Sequence, residues 1–163
     1  MLNDELTIKI TWKHPLANDN RWIGIGFGNS MASADTVMCL TSDQAVSCRD
    51  GFSLGYVVPT NDTVDSYSIK SYKVIPKYKI EVIITRKLDT GDTQDQKLEE
   101  GGAIDVIWAL GAQYDGVPQK HVYQGLSSIE VGWSHQAAWA GVLAISLMSL
   151  LALSLIHISS PRD

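Results

Sequence analysis

The segment YKIEVIITRKL, residues 78–88, alternates with a period of two residues, which is the pattern of a β-strand buried on one face. One face of this strand would carry Ile80, Val82, Ile84 and Arg86. The N-terminal segment LTIKITW alternates in the same way. Before residue 135, no stretch of the sequence has the 3.6-residue period of an amphipathic helix. The chain is therefore expected to bury its apolar residues between β-sheets.

Further short apolar segments are separated by turn-forming residues along the first 130 positions. These segments are WIGIGFG, TVMCL, AVSC, YKVI and AIDVIWALGA, whereas the loop DTGDTQDQKLEEGG is polar and predicted to be exposed. Glycines inside WIGIGFG indicate a bulge or a close approach of another group to the backbone. Many short strands with turns between them predict an all-β domain, either a sandwich or a barrel, over residues 1–132.

The C-terminal part differs, since Ala137 to Ile156 is a run of twenty uncharged residues. A helix rising about 1.5 Å per residue would span roughly 30 Å over this length, which is the thickness of the hydrocarbon core of a bilayer. We predict a single C-terminal transmembrane-type helix within a membrane anchor at residues 133–158, followed by a short tail at 159–163. The alternative is a lipid-anchor signal with its attachment site near residues 127–128 or 132–134.

Two features place the domain on the extracellular or luminal side of a membrane. Asn61 begins the N-glycosylation sequon Asn61-Asp62-Thr63. Cys39 and Cys48 flank the turn-like segment TSDQ, so they would form a disulfide if they face each other across a hairpin. The alternative is two unrelated, partly buried thiols. Because MLNDELTIKITW contains no apolar leader, we expect the native N-terminus to lie upstream of it.

Several functional classes are disfavoured by the composition and the motifs. The net charge of −5 and the lack of a basic stretch argue against nucleic-acid binding. No CxxC pair or histidine cluster has metal-ligand spacing. The glycines of WIGIGFGNS do not form the GxGxxG pattern of a dinucleotide-binding turn, and no nucleophile–base arrangement is recognisable. We therefore predict that the chain is not an enzyme by itself.

Five motifs follow one another along the chain. Their residues are Trp22, Gly26 and Phe27; Met31, Ala34 and Asp35; Arg86, Leu88, Thr90 and Asp92; Trp108, Ala109 and Gly111; and His121 and Gly125. In this order they resemble the DOMON family, whose pattern runs W-x-x-x-G-F/I, M-x-x-A-D, F/I-x-R-x-L-x-T-x-D, I-W-A-x-G and H-x-x-x-G. The resemblance covers residues 5–130. It implies an immunoglobulin-like antiparallel β-sandwich outside the cytoplasm that binds haem or sugars.

In the haem-binding branch of that family, one Met and one His hold a b-type haem, and Met31 and His121 fall on those two positions. Such a thioether–imidazole pair leaves the iron six-coordinate and favours electron transfer. Gly111 and the glycines before Met31 would let a haem lie close to the backbone. The resemblance therefore implies a membrane-tethered electron-transfer domain, linked to ferric reduction through a partner oxidoreductase or membrane cytochrome, as in ferric-chelate reductases.

Three of these assignments have alternatives. Met38 competes with Met31 as the sulfur ligand, although its position within a strand favours packing. Arg86 suits a haem propionate, because guanidinium groups match carboxylate geometry, but it also suits a structural carboxylate partner such as Asp35. Asp35 itself has a second interpretation as a turn-capping acid.

The domain as a whole also has an alternative function. A family member without haem would be a sugar- or protein-binding adaptor module at the cell surface. In that case exposed tyrosines, Tyr67, Tyr72 and Tyr78, would stack on a carbohydrate, whereas the simpler interpretation treats them as ordinary strand residues.

Overall fold

The computed structural model describes residues 5–13, 20–42, 45–75, 79–134 and 154–161. Within these ranges the chain forms only β-strands and the turns between them. The strands are β1 (Glu5–Lys13), β2 (Arg21–Phe27), β3 (Ala32–Ser42), β4 (Ala45–Leu54), β5 (Thr60–Asn61), β6 (Ser68–Ile75), β7 (Lys79–Lys87), β8 (Ala103–Tyr114), β9 (Val117–Pro118), β10 (Tyr123–Glu130), β11 (Trp133–Ser134) and β12 (Ser154–Pro161).

The strands are arranged in two sheets. The first has five strands in the order β11-β12-β1-β7-β6, and the second has seven, in the order β10-β8-β2-β3-β4-β5 with β9 paired to β8. Neighbouring strands are antiparallel except for β11 and β12, which are parallel. The predicted all-β antiparallel sandwich is therefore confirmed. The two segments with the clearest alternation, β1 and β7, are paired with each other along their full length.

The hydrophobic core lies between the two sheets. From the first sheet, Ile8 and Ile84 are fully buried, and from the second sheet, Val37 and Val106 are fully buried. The face of β7 that the alternation predicts as buried is confirmed, because Ile80, Val82, Ile84 and Arg86 are all buried. Each large aliphatic side chain removed from water in this way stabilises the fold by about 1.5–3 kcal/mol. A slip of one residue in register would expose the entire set.

Strands β3 and β4 form the predicted hairpin. Cys39 lies directly opposite Cys48 in the register, and their sulfur atoms are bonded at 2.04 Å. Cys39 is fully buried, and Cys48 packs against the core. The predicted disulfide is confirmed.

Asn61 lies in β5, at the edge of the second sheet. Its side chain is exposed, and its backbone pairs with Gly51 of β4. The exposed side chain is accessible to a glycosyltransferase, and glycosylation of Asn61 stays a prediction.

The segment between β7 and β8 was expected to be an exposed polar loop, and two of its residues differ from that expectation. Leu98 is 4% exposed and belongs to the core, and Asp95 is half-buried. The Leu98 amide donates to the Leu88 carbonyl at 2.9 Å, and the Gly101 amide donates to the Val131 carbonyl at 2.7 Å. These contacts make the loop a packed part of the domain.

Most of the predicted membrane anchor, residues 135–153, lies outside the described residues. The described remainder of residues 133–161 forms β11 and β12, and β12 pairs with β1 from Thr7 to Trp12. No helix within the described ranges is both long enough and apolar enough to cross a membrane. The anchor stays a prediction.

Candidate functional site

The outer face of the seven-stranded sheet forms the floor of a cavity. Three cross-strand rows lie on this face across β3, β2 and β8: Thr36–Gly26–Ile107, Met38–Gly24–Ala109 and Leu40–Trp22–Gly111. Side chains alternate along a strand, so the neighbouring Ile23, Ile25 and Phe27 point into the core instead. Because Gly24 and Gly26 carry no side chain, the floor is recessed along the middle strand.

Two motif tryptophans each lie against a motif glycine on the adjacent strand. Trp22 pairs with Gly111, where a Cβ atom would lie 2.5 Å from the indole nitrogen. Trp108 pairs with Gly125, where a Cβ atom would lie 2.6 Å from the indole ring. Each glycine therefore makes room for an indole. The expectation that Gly111 lets a cofactor approach the backbone is wrong, because the Trp22 side chain already fills that space.

Met31 lies in the turn between β2 and β3. Gly28 begins this turn with a φ of +135°, and its amide donates to the Asp105 carbonyl at 2.8 Å. The register between β3 and β4 shifts between Ala32 and Ala34, which makes Ser33, with a φ of +63°, the extra residue of a β-bulge. Bulges re-aim neighbouring side chains. The half-buried Met31 side chain lines the cavity beside this bulge.

His121 lies in the segment between β9 and β10, and backbone hydrogen bonds hold the chain on both sides of it. The Gln119 amide donates to the Ala112 carbonyl, and the Val122 amide donates to the Leu110 carbonyl, both at 2.9 Å. The Trp22 indole N–H also donates to the Gln119 carbonyl at 2.8 Å. The position of His121 is therefore tied to strand β8 and to the floor of the cavity.

A third wall comes from residues 56–59, between β4 and β5, and the motifs of the sequence did not reveal it. Tyr56 is 88% exposed and Val57 is 62% exposed, although both are large apolar residues. The signal that was available is the run YVVP, an apolar segment between Gly55 and Thr60 that continues neither neighbouring strand. Exposed apolar residues grouped at a cavity mark a ligand or partner surface.

The cavity enclosed by these elements has a volume of about 1090 Å³. This volume lies just above the range of roughly 300–1,000 Å³ that is usual for small-molecule sites. Both predicted ligands, Met31 and His121, line it, so the structure brings the two loops together as expected. The lining is mainly apolar, and its polar members include Asn29, Gln119 and Lys120.

Met38, the alternative sulfur ligand, also lines the cavity but as part of the floor. It is 5% exposed, and its sulfur lies 3.7 Å from the Arg49 guanidinium on the neighbouring strand β4. The sulfur atom of Met38 is thus already in contact with a donor. Met38 therefore packs within strand β3, as the sequence favoured.

Arg86 lies on β7 of the five-stranded sheet and points into the space between the two sheets, away from the cavity on the outer face of the seven-stranded sheet. Its side chain is fully buried, and its guanidinium bonds to the Asp35 carboxylate at 2.5 Å and to the Tyr67 hydroxyl at 3.0 Å. It also donates to the Gln96 carbonyl at 2.8 Å and lies 5.4 Å from the Phe27 ring. The assignment of Arg86 to a haem propionate is corrected, since the structural ion pair with Asp35 takes up its charge.

Burial shapes the electrostatics of this ion pair. Desolvation raises the pKa of Asp35 although Arg86 acts to lower it. Desolvation acts to lower the pKa of Arg86, but the adjacent Tyr67 and Asp35 raise it overall. Asp35 lies within β3 and is 2% exposed, so its interpretation as a turn cap is wrong.

The tyrosines considered for sugar stacking have different surroundings. Tyr67 is 7% exposed and belongs to the core, which corrects its assignment as a surface residue. Tyr72 is 47% exposed on β6. Tyr78 lies outside the described residues. Of the two described tyrosines, only Tyr72 is therefore exposed enough to stack on a sugar.

The model of the DOMON domain family matches residues 1–111, about two thirds of the chain. This span includes the Met31 loop and the Trp22–Gly111 pair, whereas His121 and Gly125 lie beyond it. The chain belongs to the DOMON domain family. DOMON domains are typically extracytoplasmic, and the Cys39–Cys48 disulfide agrees with an oxidising compartment.

This DOMON domain is similar in structure to two cytochrome domains. For the cytochrome domain of Myriococcum thermophilum cellobiose dehydrogenase, the TM-score is 0.62 at 16% identity, covering 79% of this chain and 67% of that chain. For the cytochrome b domain of Coprinopsis cinerea pyranose dehydrogenase, the TM-score is 0.62 at 12% identity, covering 78% of this chain and 68% of that chain. At these identities the likeness establishes the fold. A sequence search of curated proteins found no match.

Proposed function

We propose that this DOMON domain binds a b-type haem in the outer-face cavity, with Met31 and His121 as axial ligands, and that it transfers single electrons. The observation that carries the proposal is the convergence of these two residues, ninety positions apart in the sequence, on one largely apolar cavity. The two structural relatives described above are both cytochrome domains.

The residues around the cavity suit a large, flat and mainly apolar cofactor. Within the described part of the chain, no hydrogen bond or ion pair engages the Met31 sulfur or the His121 ring, so both can coordinate iron. Val57 and Leu126 line the cavity and are 62% and 55% exposed. A bound cofactor would remove this apolar surface from water, which favours binding.

A bound haem would supply one-electron chemistry, with a six-coordinate iron whose potential is raised by a thioether ligand relative to two imidazoles. The protein contributes the positions of the ligands. Hydrogen bonds of Gln119 and Val122 hold the His121 loop, and the bulge at Ser33 directs Met31. Lys120, which lines the cavity, supplies a positive charge for a propionate, the role expected of Arg86 from the sequence.

The electron donor or acceptor would be a partner oxidoreductase or a membrane cytochrome. The exposed side chains of Tyr56, Val57 and Leu126 place the cavity at the protein surface, where a redox partner can approach its edge. The uncharged run from Ala137 to Ile156 supports a location at a membrane.

The test is an absorption spectrum of the full chain, expressed into an oxidising compartment with haem supplied, in the oxidised and dithionite-reduced states. We expect the sharp reduced α and β bands of a six-coordinate b-type haem. Met31→Leu and His121→Gln are expected to abolish these bands, and the matched variant Met38→Leu is expected to keep them. Leucine conserves the volume of methionine well enough for the fold to persist.

Two outcomes would overturn this proposal. One is a folded wild-type protein that remains colourless, and the other is a Met31→Leu variant with an unchanged spectrum. A colourless protein that is stabilised by an added oligosaccharide would support the sugar-binding alternative instead.

A further inference from the structure

Three aspartates meet on the inner face of the seven-stranded sheet, opposite the face that forms the cavity. Asp35 is on β3, Asp50 is on β4, and Asp95 is in the loop between β7 and β8. One carboxylate oxygen from each lies within 4.8 Å of the others. Asp35 and Asp50 are 2% and 3% exposed, and Asp95 is half-buried. Three carboxylates so close together and so little hydrated repel one another strongly.

Two of the carboxylate oxygens in this aspartate cluster have no partner. Asp50 accepts a hydrogen bond from the Ser66 amide through Oδ2 at 2.9 Å, but its Oδ1 is buried without a partner among the described residues. Asp95 Oδ2 is likewise buried and unpartnered. Buried polar atoms are nearly always satisfied in native proteins, so such atoms in one cluster indicate a missing ligand.

The net charge of the aspartate cluster indicates the charge of the missing ligand. When ionised, the three aspartates carry three negative charges, and Arg86, bonded to Asp35, balances one of them. Two negative charges remain, which a divalent cation neutralises. Among the described residues, Asp35 Oδ1 accepts a hydrogen bond only from the Tyr67 hydroxyl, at 3.3 Å, so it keeps a lone pair for a metal ion.

We infer that Asp35, Asp50 and Asp95 bind one calcium ion. Carboxylate oxygens without a histidine or cysteine suit a hard cation rather than zinc or copper. Calcium binds oxygens at about 2.4 Å, so two oxygens on one calcium ion lie at most about 4.8 Å apart, and the three carboxylate oxygens here meet that limit. Magnesium demands near-ideal octahedral geometry, whereas calcium accepts a flexible arrangement of oxygens, which suits carboxylates that come from three separate segments.

The calcium ion would connect the sheet to the β7–β8 loop. The loop already contacts the Asp35–Arg86 ion pair through the backbone of Gln96. The backbone N–H of Gln96 donates to the Asp35 carboxylate at 2.9 Å, and its backbone carbonyl accepts from the Arg86 guanidinium at 2.8 Å. Asp95 is the residue before Gln96 and approaches Asp50 of β4. A cation between them would hold the loop against the sheet and stabilise the domain against unfolding.

The test uses the full chain without haem, stripped with a chelator and then titrated with calcium chloride, so its result does not depend on the proposed function. We expect one calcium ion per chain by calorimetry and a rise in the unfolding temperature. Terbium, which replaces calcium, is expected to show luminescence sensitised by Tyr67, whose hydroxyl bonds to Asp35. Extracellular calcium modules bind with Kd values of about 10⁻⁴–10⁻³ M, which sets the range of the titration.

Asp95→Asn is the informative variant, because Asp95 is only half-buried and lies in a loop. It is expected to weaken calcium binding at least tenfold, and Asp50→Asn is expected to do the same. The matched control is Asp92→Asn. Asp92 is a half-buried acid of the same loop, and within the described ranges its carboxylate accepts a hydrogen bond only from the Gln94 backbone amide. No saturable binding in the wild-type chain, or equal binding by Asp95→Asn and Asp92→Asn, would overturn the inference.

Discussion

The Trp22 indole occupies the space that a side chain at Gly111 would need on the neighbouring strand, with 2.5 Å between the indole nitrogen and the position of a Cβ atom at 111. The same indole nitrogen donates to the Gln119 carbonyl at 2.8 Å. This tryptophan–glycine contact therefore connects the floor of the cavity to the segment that carries His121. Two family motifs that are far apart in the sequence act here as one structural unit.

Gly111→Ala is expected to displace the Trp22 indole and weaken its bond to Gln119. Crowding of a packed position of this kind destabilises by about 1–3 kcal/mol, and the shift would also lower the affinity for haem through the His121 loop. Denaturant unfolding and haem titration measure the two effects. Gly132→Ala is the control, because a Cβ there meets no atom of the described residues within 4 Å and should leave both quantities unchanged.

Val57→Asp is expected to weaken haem binding without destabilising the haem-free protein. Val57 is 62% exposed, so its replacement disturbs little packing, but a bound cofactor would cover it. Losing about 1.5 kcal/mol of apolar burial corresponds to about a tenfold weaker affinity. Val64→Asp is the control, since Val64 is 56% exposed and does not line the cavity. Equal affinities of the two variants would show that residues 56–59 do not contact the haem.

Arg86→Met is expected to lower the free energy of unfolding by about 3–5 kcal/mol, because it leaves the buried Asp35 carboxylate without its counter-charge. Thermal or urea unfolding measures the loss. Lys87→Met changes the adjacent, exposed residue and should alter stability by less than about 0.5 kcal/mol. Since Arg86 lies away from the cavity, conditions that keep the variant folded should preserve the haem spectrum. A folded variant without haem bands would contradict this placement.

Replacing both Cys39 and Cys48 by serine is expected to destabilise the domain by about 2–3 kcal/mol, as for loss of a disulfide that closes a short loop. The haem spectrum should be retained, because Cys39 points into the core and does not line the cavity. Unfolding of the wild-type chain with and without a reductant provides the matched comparison. A variant as stable as the wild type would show that the hairpin does not depend on the bond.

The parts of the fold that depend on local spacing were predictable from the sequence. The alternation around Ile80, Val82 and Ile84 predicted which face of β7 is buried, because residues two apart share a face of any strand. The cysteine spacing predicted a hairpin disulfide for the same local reason. The family motifs placed Met31 and His121 on two loops, and the structure brings both loops to one cavity.

Contacts between distant segments were not predictable in the same way. The resemblance suggested a ligand role for Arg86, whereas the sheet packing encloses it with Asp35 and Tyr67. The apolar run at residues 56–59 and the aspartates at 50 and 95 carried no motif, so their roles became visible only in three dimensions.

The sequence by itself predicted an all-β chain and a hairpin disulfide, since alternation and turn spacing act over a few residues. Its resemblance to the DOMON family implied Met31 and His121 as the haem ligands. Only the tertiary structure decided which strands are neighbours and which residues cover each buried face. The order β3-β2-β8 sets Trp22 against Gly111, and the packing of the two sheets buries Arg86 beside Asp35. These pairings depend on the summed burial of both sheets, which no single segment of the chain encodes.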